Sequence, residues 1–321
     1  MTTPQTHGCG AGRSRLVEEI EEILRRRLGW NEIMMSNIMW RFIDVNVEEF
    51  LSRGINPHMW LYALNGLSAE DPYWLGVYYG DLYVRWQGRS ATIVLHTTNT
   101  IDAIYFMILM RTIATPSVEL IWSRNQLSVY YRVTLERWPW HDVDPNIISS
   151  FSISDVLKFF VGLLDTDGSI DVTYIKQRNR KGEFKRRLEV RIFACKQKEC
   201  ADFLYYIRDV IYEKLGIEGD VLLRKEDSEL RYMGRHGAEL LKYIRQYIAH
   251  PLKRLRSEIY LKYYDGELNW REFDHLYIPL KYDSNIHSDP KRGKAVEILT
   301  RAAPQTHTHG DKIKPKHKPK N

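Results

Sequence analysis

Lysine is absent from the first 157 residues of this 321-residue chain; every lysine lies at position 158 or later, and the earlier cations are all arginines. The formal net charge is +6, so any affinity for a polyanion is expected to lean on the C-terminal half. Cysteine is nearly as scarce. Cys9, Cys195 and Cys200 form neither a disulfide framework nor a zinc-ligand spacing. That excludes a stapled secreted scaffold and sets the expectation of a reducing, intracellular (cytoplasmic) location. No apolar run approaches the ~20 residues of a membrane span, and no charged segment precedes an apolar signal core, so no membrane partner is expected. What the chain does have is 44% apolar residues and 20 tyrosines, enough core for about two domains at this length.

The richest stretch is 154–169, SDVLKFFVGLLDTDGS. Ser154 can cap a helix and Asp155 suits a first turn. An apolar run follows, broken by Gly162, and ends in Asp165, Asp167 and Gly168. A glycine inside a helix costs about 1 kcal/mol against alanine, so it usually marks the close approach of another backbone. The acids are stranger, because a helix C-terminus carries partial negative charge and disfavours carboxylates unless a cation compensates. The plain reading is a buried helix closed by an Asp-Gly turn. Against it stands an imperfect second copy, PYWLGVYYGDLYV at 72–84. Aligning Gly76 with Gly162 sets Asp81 opposite Asp167 and Gly80 opposite Thr166. Each copy then has a small residue four positions after its glycine, so two helices could pack closely along Gly76/Gly80 and Gly162/Thr166, each delivering an aspartate to one end of the pair.

The pattern resembles the LAGLIDADG family of homing endonucleases in its single-chain, two-repeat form. FVGLLDTDG is a close match; WLGVYYGDL is degenerate, with Tyr79 in place of the first acid and Leu82 in place of the final glycine. The resemblance implies an α+β fold of two pseudo-symmetric αββαββα repeats whose antiparallel sheets form a saddle for DNA.

Along the chain, 1–12 reads as disordered and 13–69 as a helical appendage, with a helix-turn-helix reader as the alternative to a packing role. The first repeat spans 70–137. Its strands are expected at 82–87, 91–97, 118–122 and 127–135, its helix at 101–113, and its closing helix is hard to find because Trp138-Pro139-Trp140 intervenes. A linker, 138–153, precedes the second repeat, 154–264. Strands are expected there at 170–177, 184–195, 221–225 and 229–233, with helices at 198–215 and 238–248 and a further basic helix from 250. A C-terminal extension, 265–310, and a basic disordered tail, 311–321, complete the reading.

The free sheet face is where a major groove would be read. The hairpin 176–187 holds seven cations, Lys176, Arg178, Arg180, Lys181, Lys185, Arg186 and Arg187, against Glu183 alone; such a cluster is expected to contact phosphates. The corresponding hairpin of the first repeat offers Arg85 and Arg89, with Tyr83, Trp86, Gln87 and Asn99 as candidate base readers. From Ser154 to Tyr264 there are 23 Lys and Arg against 17 Asp and Glu, and from Glu70 to Glu136 there are 5 against 6.

For the chemistry, the resemblance assigns Asp81 and Asp167 to a divalent cation, Mg²⁺ or another such as Mn²⁺, with the carbonyls of Gly80 and Thr166 as further oxygen donors. Asp165 matches the acid that more often supports structure. Around the scissile phosphates the resemblance points to strand-end residues: Cys195-Lys196 and Arg235 in the second repeat, Thr97-Thr98 and Arg132 in the first. Cys195 and Thr97 depart from the glutamine common in the family, and arginine can stabilise phosphoryl charge without accepting a proton. Two functions follow. One is a monomeric, Mg²⁺-dependent endonuclease cutting double-stranded DNA at a long asymmetric site. The other is a binding protein on the same scaffold, an intron RNA maturase or a DNA-binding regulator, with catalysis lost. Retention of both Asp81 and Asp167 favours the first, because neither carboxylate helps a protein hold phosphates without a metal.

Overall fold

A computed structural model describes residues 31–88, 90–123, 126–141, 143–176, 184–194, 198–223 and 228–281, with isolated positions at 22, 285–286, 293–294, 296–297 and 299. The expectations for 1–21, the 311–321 tail, Arg89, Arg178, Arg180, Lys181, Cys195 and Lys196 lie outside the described residues.

Among the continuously described residues, three helices come first, α1 (Asn31–Phe42), α2 (Val47–Ser52) and α3 (Trp60–Leu64). Five-residue α3 buries Trp60, Leu61 and Leu64, which leaves it no length or face for a groove. Then come α4 (Pro72–Tyr79), β1 (Tyr83–Gln87), β2 (Ser90–Thr97), α5 (Thr100–Arg111), β3 (Ser117–Ser123) and β4 (Gln126–Leu135). The order recurs as α6 (Ile153–Asp167), β5 (Gly168–Lys176), β6 (Phe184–Ala194), α7 (Lys198–Leu215), β7 (Asp220–Leu223), β8 (Ser228–Met233) and α8 (Gly234–Ile244). Two more helices follow, α9 (Pro251–Tyr264) and α10 (Trp270–Tyr277). The fold is α+β with two four-stranded antiparallel sheets, ordered β1-β2-β4-β3 and β5-β6-β8-β7.

Local chemistry sets the helix ends. Asp71 caps α4 by accepting from the Tyr73 N–H at 3.0 Å, and Pro72 sits at the first helical position, where its missing N–H costs nothing. The cap of α6 is Ser152, not Ser154: its hydroxyl accepts from the Asp155 N–H at 3.2 Å, so the helix begins before the apolar run. Asn99, a candidate base reader, instead caps α5 by accepting from the N–H groups of Ile101 and Asp102. No closing helix appears among the described residues between β4 and Asp144. Buried Trp138 fills that place, edge-on to Trp74 at 6.1 Å. In the second repeat the closing helix starts at Gly234, four residues earlier than the sequence suggested, because Gly234 turns the chain out of β8 at φ +56°.

The core is continuous through both repeats and runs along α4 and α6. A Cβ on Gly76 would collide with the carbonyl oxygen of Phe159, and one on Gly162 with that of Tyr73; only glycine admits this approach of two backbones. Alternation along the strands buries one face of each sheet, through Ala91, Ile93 and Leu95 in β2 and Leu188, Val190 and Ile192 in β6. The opposite face is open.

Helices α9 and α10 seal the outer edge of β5. Tyr277 accepts from the Val172 N–H at 2.9 Å, and Arg256 donates to the Ile170 carbonyl at 3.4 Å, so the edge strand does not present its unpaired groups. Farther on, the Ile286 N–H reaches the Thr98 carbonyl of the first repeat at 2.6 Å.

Candidate active site

The helix pair delivers its carboxylates unequally. Asp167 is the last helical residue of α6. Asp81 lies just past α4, beyond the Gly80 cap, and is exposed. At Gly80, where the first helix ends, the backbone meets Thr166 so closely that a Cβ would strike the threonine hydroxyl. That hydroxyl donates back into its own helix, to the Gly162 carbonyl at 3.0 Å. Asp81 and Asp167 come within hydrogen-bonding reach of each other. Burial first, then the neighbouring Asp81 charge, push the Asp167 carboxyl up to about 7.

Asp165 does something else. It is buried, with Oδ2 accepting from the Tyr73 hydroxyl at 2.8 Å and from the N–H groups of Ala249 at 2.8 Å and His250 at 3.0 Å. Burial raises its pKa, although Lys253 and these donors pull the other way. Tyr79 stands at the matching place in the first repeat and reverses the polarity: its hydroxyl donates to the Val143 carbonyl at 3.2 Å, and its ring stacks on Phe203. The acid accepts from the turn that follows the closing helix of its repeat, whereas the phenol donates to the linker after its own. This is the physical content of the degenerate motif. The other departure is also explained: a side chain at Gly168 would meet the Arg191 carbonyl and Leu164 at 2.6 Å, whereas Leu82 is a buried core residue.

A cavity of about 260 Å³ opens beside Asp81 and Thr166, lined also by Thr97, Asp102, His250 and Lys253. Thr97 is engaged in its own turn, accepting from the Asn99 N–H at 3.1 Å. His250, the cap of α9, bridges to the first repeat with Nε2 3.0 Å from Asp102 Oδ1. Burial holds the His250 pKa down. A neutral ring fits both contacts, with Nδ1 accepting from the Lys253 N–H at 3.4 Å. Lys253 is buried, and its ammonium donates to the carbonyls of Leu164 and Asp165, each at 2.8 Å. Sequence reasoning missed both residues; the signal available was the demand of a carboxylate-bearing helix end for a cation.

Strand register re-sorts the basic candidates. Arg132 pairs across with Val94 and Ser117, and Val94 with Tyr83, which is two residues after Asp81. In the second sheet, Ser169, two residues after Asp167, pairs with Arg191, and Arg191 with Arg231. The counterpart of Arg132 is therefore Arg231. Arg235 lies beyond the strand, in the first turn of α8, 78% exposed and paired with Glu239. Strand counting failed there because β8 stops at Met233. Arg132 itself is half exposed beside Glu119.

On the open faces stand Tyr83, Arg85 and Gln87 in β1 and Lys185, Arg187 and Arg191 in β6. Trp86 turns to the other side, against His141. Arg186 does likewise. It faces Tyr174 across the pair, is 7% exposed, and gives a two-pronged ion pair to Asp274 of α10. The Trp270 ring lies 5.2 Å from its guanidinium. Arg186 is thus removed from the DNA-facing set, for the reason of parity: successive strand residues point to opposite faces. Two open-face cations are also locally matched, Arg187 with Glu189 at 3.0 Å and Arg191 with Asp171 at 2.6 Å.

Neither a protein-family model nor a curated protein matches the chain. Among solved structures, it is similar to the homing endonuclease I-CvuI in complex with its target, at 19% identity over 47% of this chain and 98% of that one, with a TM-score of 0.34. It is also similar to the LAGLIDADG homing endonuclease I-SmaMI bound to cleaved DNA, at 10% identity over 65% and 95% of the two chains, with a TM-score of 0.44. A third is the homing endonuclease I-WcaI bound to its DNA recognition sequence, at 11% identity over 58% and 85%, with a TM-score of 0.41. Its structural neighbours are LAGLIDADG homing endonucleases.

Proposed function

We propose that the protein is a site-specific endonuclease that hydrolyses double-stranded DNA at the Asp81–Asp167 pair. The observation that carries this reading is the contact between two carboxylates on an exposed rim, at the meeting of two sheets whose open faces can lie along DNA. Two carboxylates brought together repel each other, and the Asp81 charge adds to burial in raising the Asp167 pKa.

A divalent cation fits these residues. The donor atoms are hard oxygens, two carboxylates plus the Gly80 and Thr166 carbonyls, as Mg²⁺ prefers. Among the described residues no group of three or more His, Cys, Asp or Glu that could hold a metal ion is found. Such a cation would supply the charge that activates water and stabilises the leaving oxygen. The chain's own residues do the rest. Arg132 and Arg231, at matched positions two strands in from Tyr83 and Ser169, would neutralise the phosphates of opposite strands. Lys185, Arg187 and the hairpin residues Arg178, Arg180 and Lys181 hold the backbone, while Tyr83, Arg85 and Gln87 face the groove edges. By the same parity Lys176, paired with Phe184, stands on the Arg186 side of β5 and leaves the DNA-facing set, and Lys196 remains a candidate from sequence alone.

The test is digestion of randomised duplex DNA with purified protein and Mg²⁺, followed by sequencing of the ends. Recurrent ends at one long motif, absent in chelator, are expected. Binding to one motif without ends would select the lapsed, binding-only reading, to which the degenerate first motif gives some support.

A further inference from the structure

Strand register lets the two sheets be compared place by place, outward from the aspartates. Two residues past Asp81, Tyr83 pairs with Val94, and Val94 with Arg132. Two residues past Asp167, Ser169 pairs with Arg191, and Arg191 with Arg231. Arginine matches arginine at the third place. At the second, the first sheet has an isopropyl group and the second sheet a guanidinium. The mismatch continues along the edge strand, where Arg85 stands at the place of Asp171.

Asp171 is what fixes Arg191. Nη2 of Arg191 donates to Asp171 Oδ2 at 2.6 Å, and Nε donates to Ser169 Oγ at 3.1 Å. Arg256 donates to the other carboxylate oxygen at 3.3 Å. Burial works to raise the Asp171 pKa, but Arg256 and the hydrogen bonds from Arg191 and Ser169 hold it below the usual carboxylate range, so the brace stays ionised. These bonds occupy the Nε–Nη2 edge of the planar guanidinium. The Nη1–Nη2 edge keeps its own parallel pair of N–H groups, and the side chain is 24% exposed on the open face. A fork held in this way loses little further freedom on binding. In the major groove, guanine is the base whose O6 and N7 accept two parallel donors, whereas a valine can make only apolar contact, which the thymine 5-methyl group offers.

We propose that Arg191 and Val94 are matched specificity-determining residues: at base pairs equally far from the cleavage centre, Arg191 selects guanine in one half-site and Val94 selects thymine in the other. The target is therefore not palindromic at this step, although the two repeats share one fold. The inference rests on the DNA-binding part of the proposed function and not on cleavage.

The experiment selects bound sequences from randomised duplex DNA in Ca²⁺, with wild type, Arg191→Gln, Asp171→Asn and the double variant Val94→Arg/Arg85→Asp. Wild type should enrich guanine about tenfold or more at one position of one half-site, with thymine at its mirror position. Arg191→Gln should move that guanine to adenine, the base glutamine pairs with, and leave the other positions as they were. Asp171→Asn should weaken the guanine preference several-fold within the same motif. The double variant, which carries the braced arginine into the first sheet, should replace the mirror thymine by guanine. Retained guanine in Arg191→Gln, or a loss of affinity spread evenly over all sequences, overturns the proposal. If Arg191→Gln does not fold, the double variant decides, and an unchanged mirror position overturns it. Binding in Ca²⁺ needs no cleavage, so a protein that cuts nothing still decides the inference. Wild type that enriches no motif at all fails the DNA-binding reading and overturns the inference with it.

Discussion

Among single residues, the buried ones show most clearly how environment sets role. Asp165 and Asp167 are two residues apart on one helix, yet one is enclosed by amide and phenol donors and the other meets a second carboxylate at the rim. The sequence placed both acids and named Asp167 for the chemistry, but the partners of Asp165 come from 84 and 85 residues away, beyond the reach of any local pattern. His58 offers a test remote from that site. It is buried beside the Ser36 hydroxyl at 3.0 Å, and burial lowers its pKa from 6.5 to about 4. The unfolded chain therefore takes up a proton below pH 6.5 that the folded state refuses until about pH 4. Stability is fully present above pH 6.5 and is lost as pH falls through that window, by about 3 kcal/mol. Urea titrations from pH 7 to pH 4 should show this decline, and His58→Asn should remove most of it; an equally steep decline in the variant would assign the acid limb to other groups.

For the elements, the pairing of α4 with α6 is the feature the sequence announced best. Small residues at matched positions are visible in one dimension, and so are alternating strands, whose observed bounds lie within a few residues of those read from the pattern. Cap identity and strand parity were harder. Ser152 and Ser154 are equally good caps by type, and the backbone's turn into the helix decides between them. Arg186 and Arg187 are indistinguishable in a count of charges, although they point to opposite sides of β6. The helix pair gives a direct prediction. Gly162→Ala places a methyl against the Tyr73 carbonyl, and neither backbone can move without separating the repeats. A loss of about 1–3 kcal/mol is expected from overpacking, measured by chemical denaturation. Unchanged stability would mean that the two helices are not in backbone contact.

Across the whole molecule, charge is distributed by half. The second repeat carries the excess, 23 Lys and Arg against 17 Asp and Glu between Ser154 and Tyr264, but part of it is spent on internal pairs such as Arg186–Asp274 and Arg191–Asp171. The unpaired excess should reside in the hairpin 176–187. Each phosphate contact contributes roughly 0.9 to the log–log salt slope. Replacing Arg178, Arg180, Lys181 and Lys185 with alanine should therefore flatten the slope by about 3–4 and weaken binding to every sequence. Arg186→Ala should leave the slope unchanged and instead cost about 1–3 kcal/mol of stability, because Asp274 loses its ion pair and keeps only the Tyr174 hydroxyl, at 3.0 Å. A slope loss for Arg186→Ala would return it to the DNA face.

The central claim is that two carboxylates from two repeats form one catalytic centre, and strand-resolved cleavage by aspartate variants tests it most directly. Asp81→Asn, Asp167→Asn and wild type would be compared on one target in Mg²⁺, with top and bottom strands labelled separately and DNA affinity measured in Ca²⁺. Each substitution should cut double-strand breakage at least a thousandfold while DNA affinity stays the same or tightens, since a negative charge beside phosphate is removed. Double-strand breakage at the wild-type rate by either variant would contradict the account.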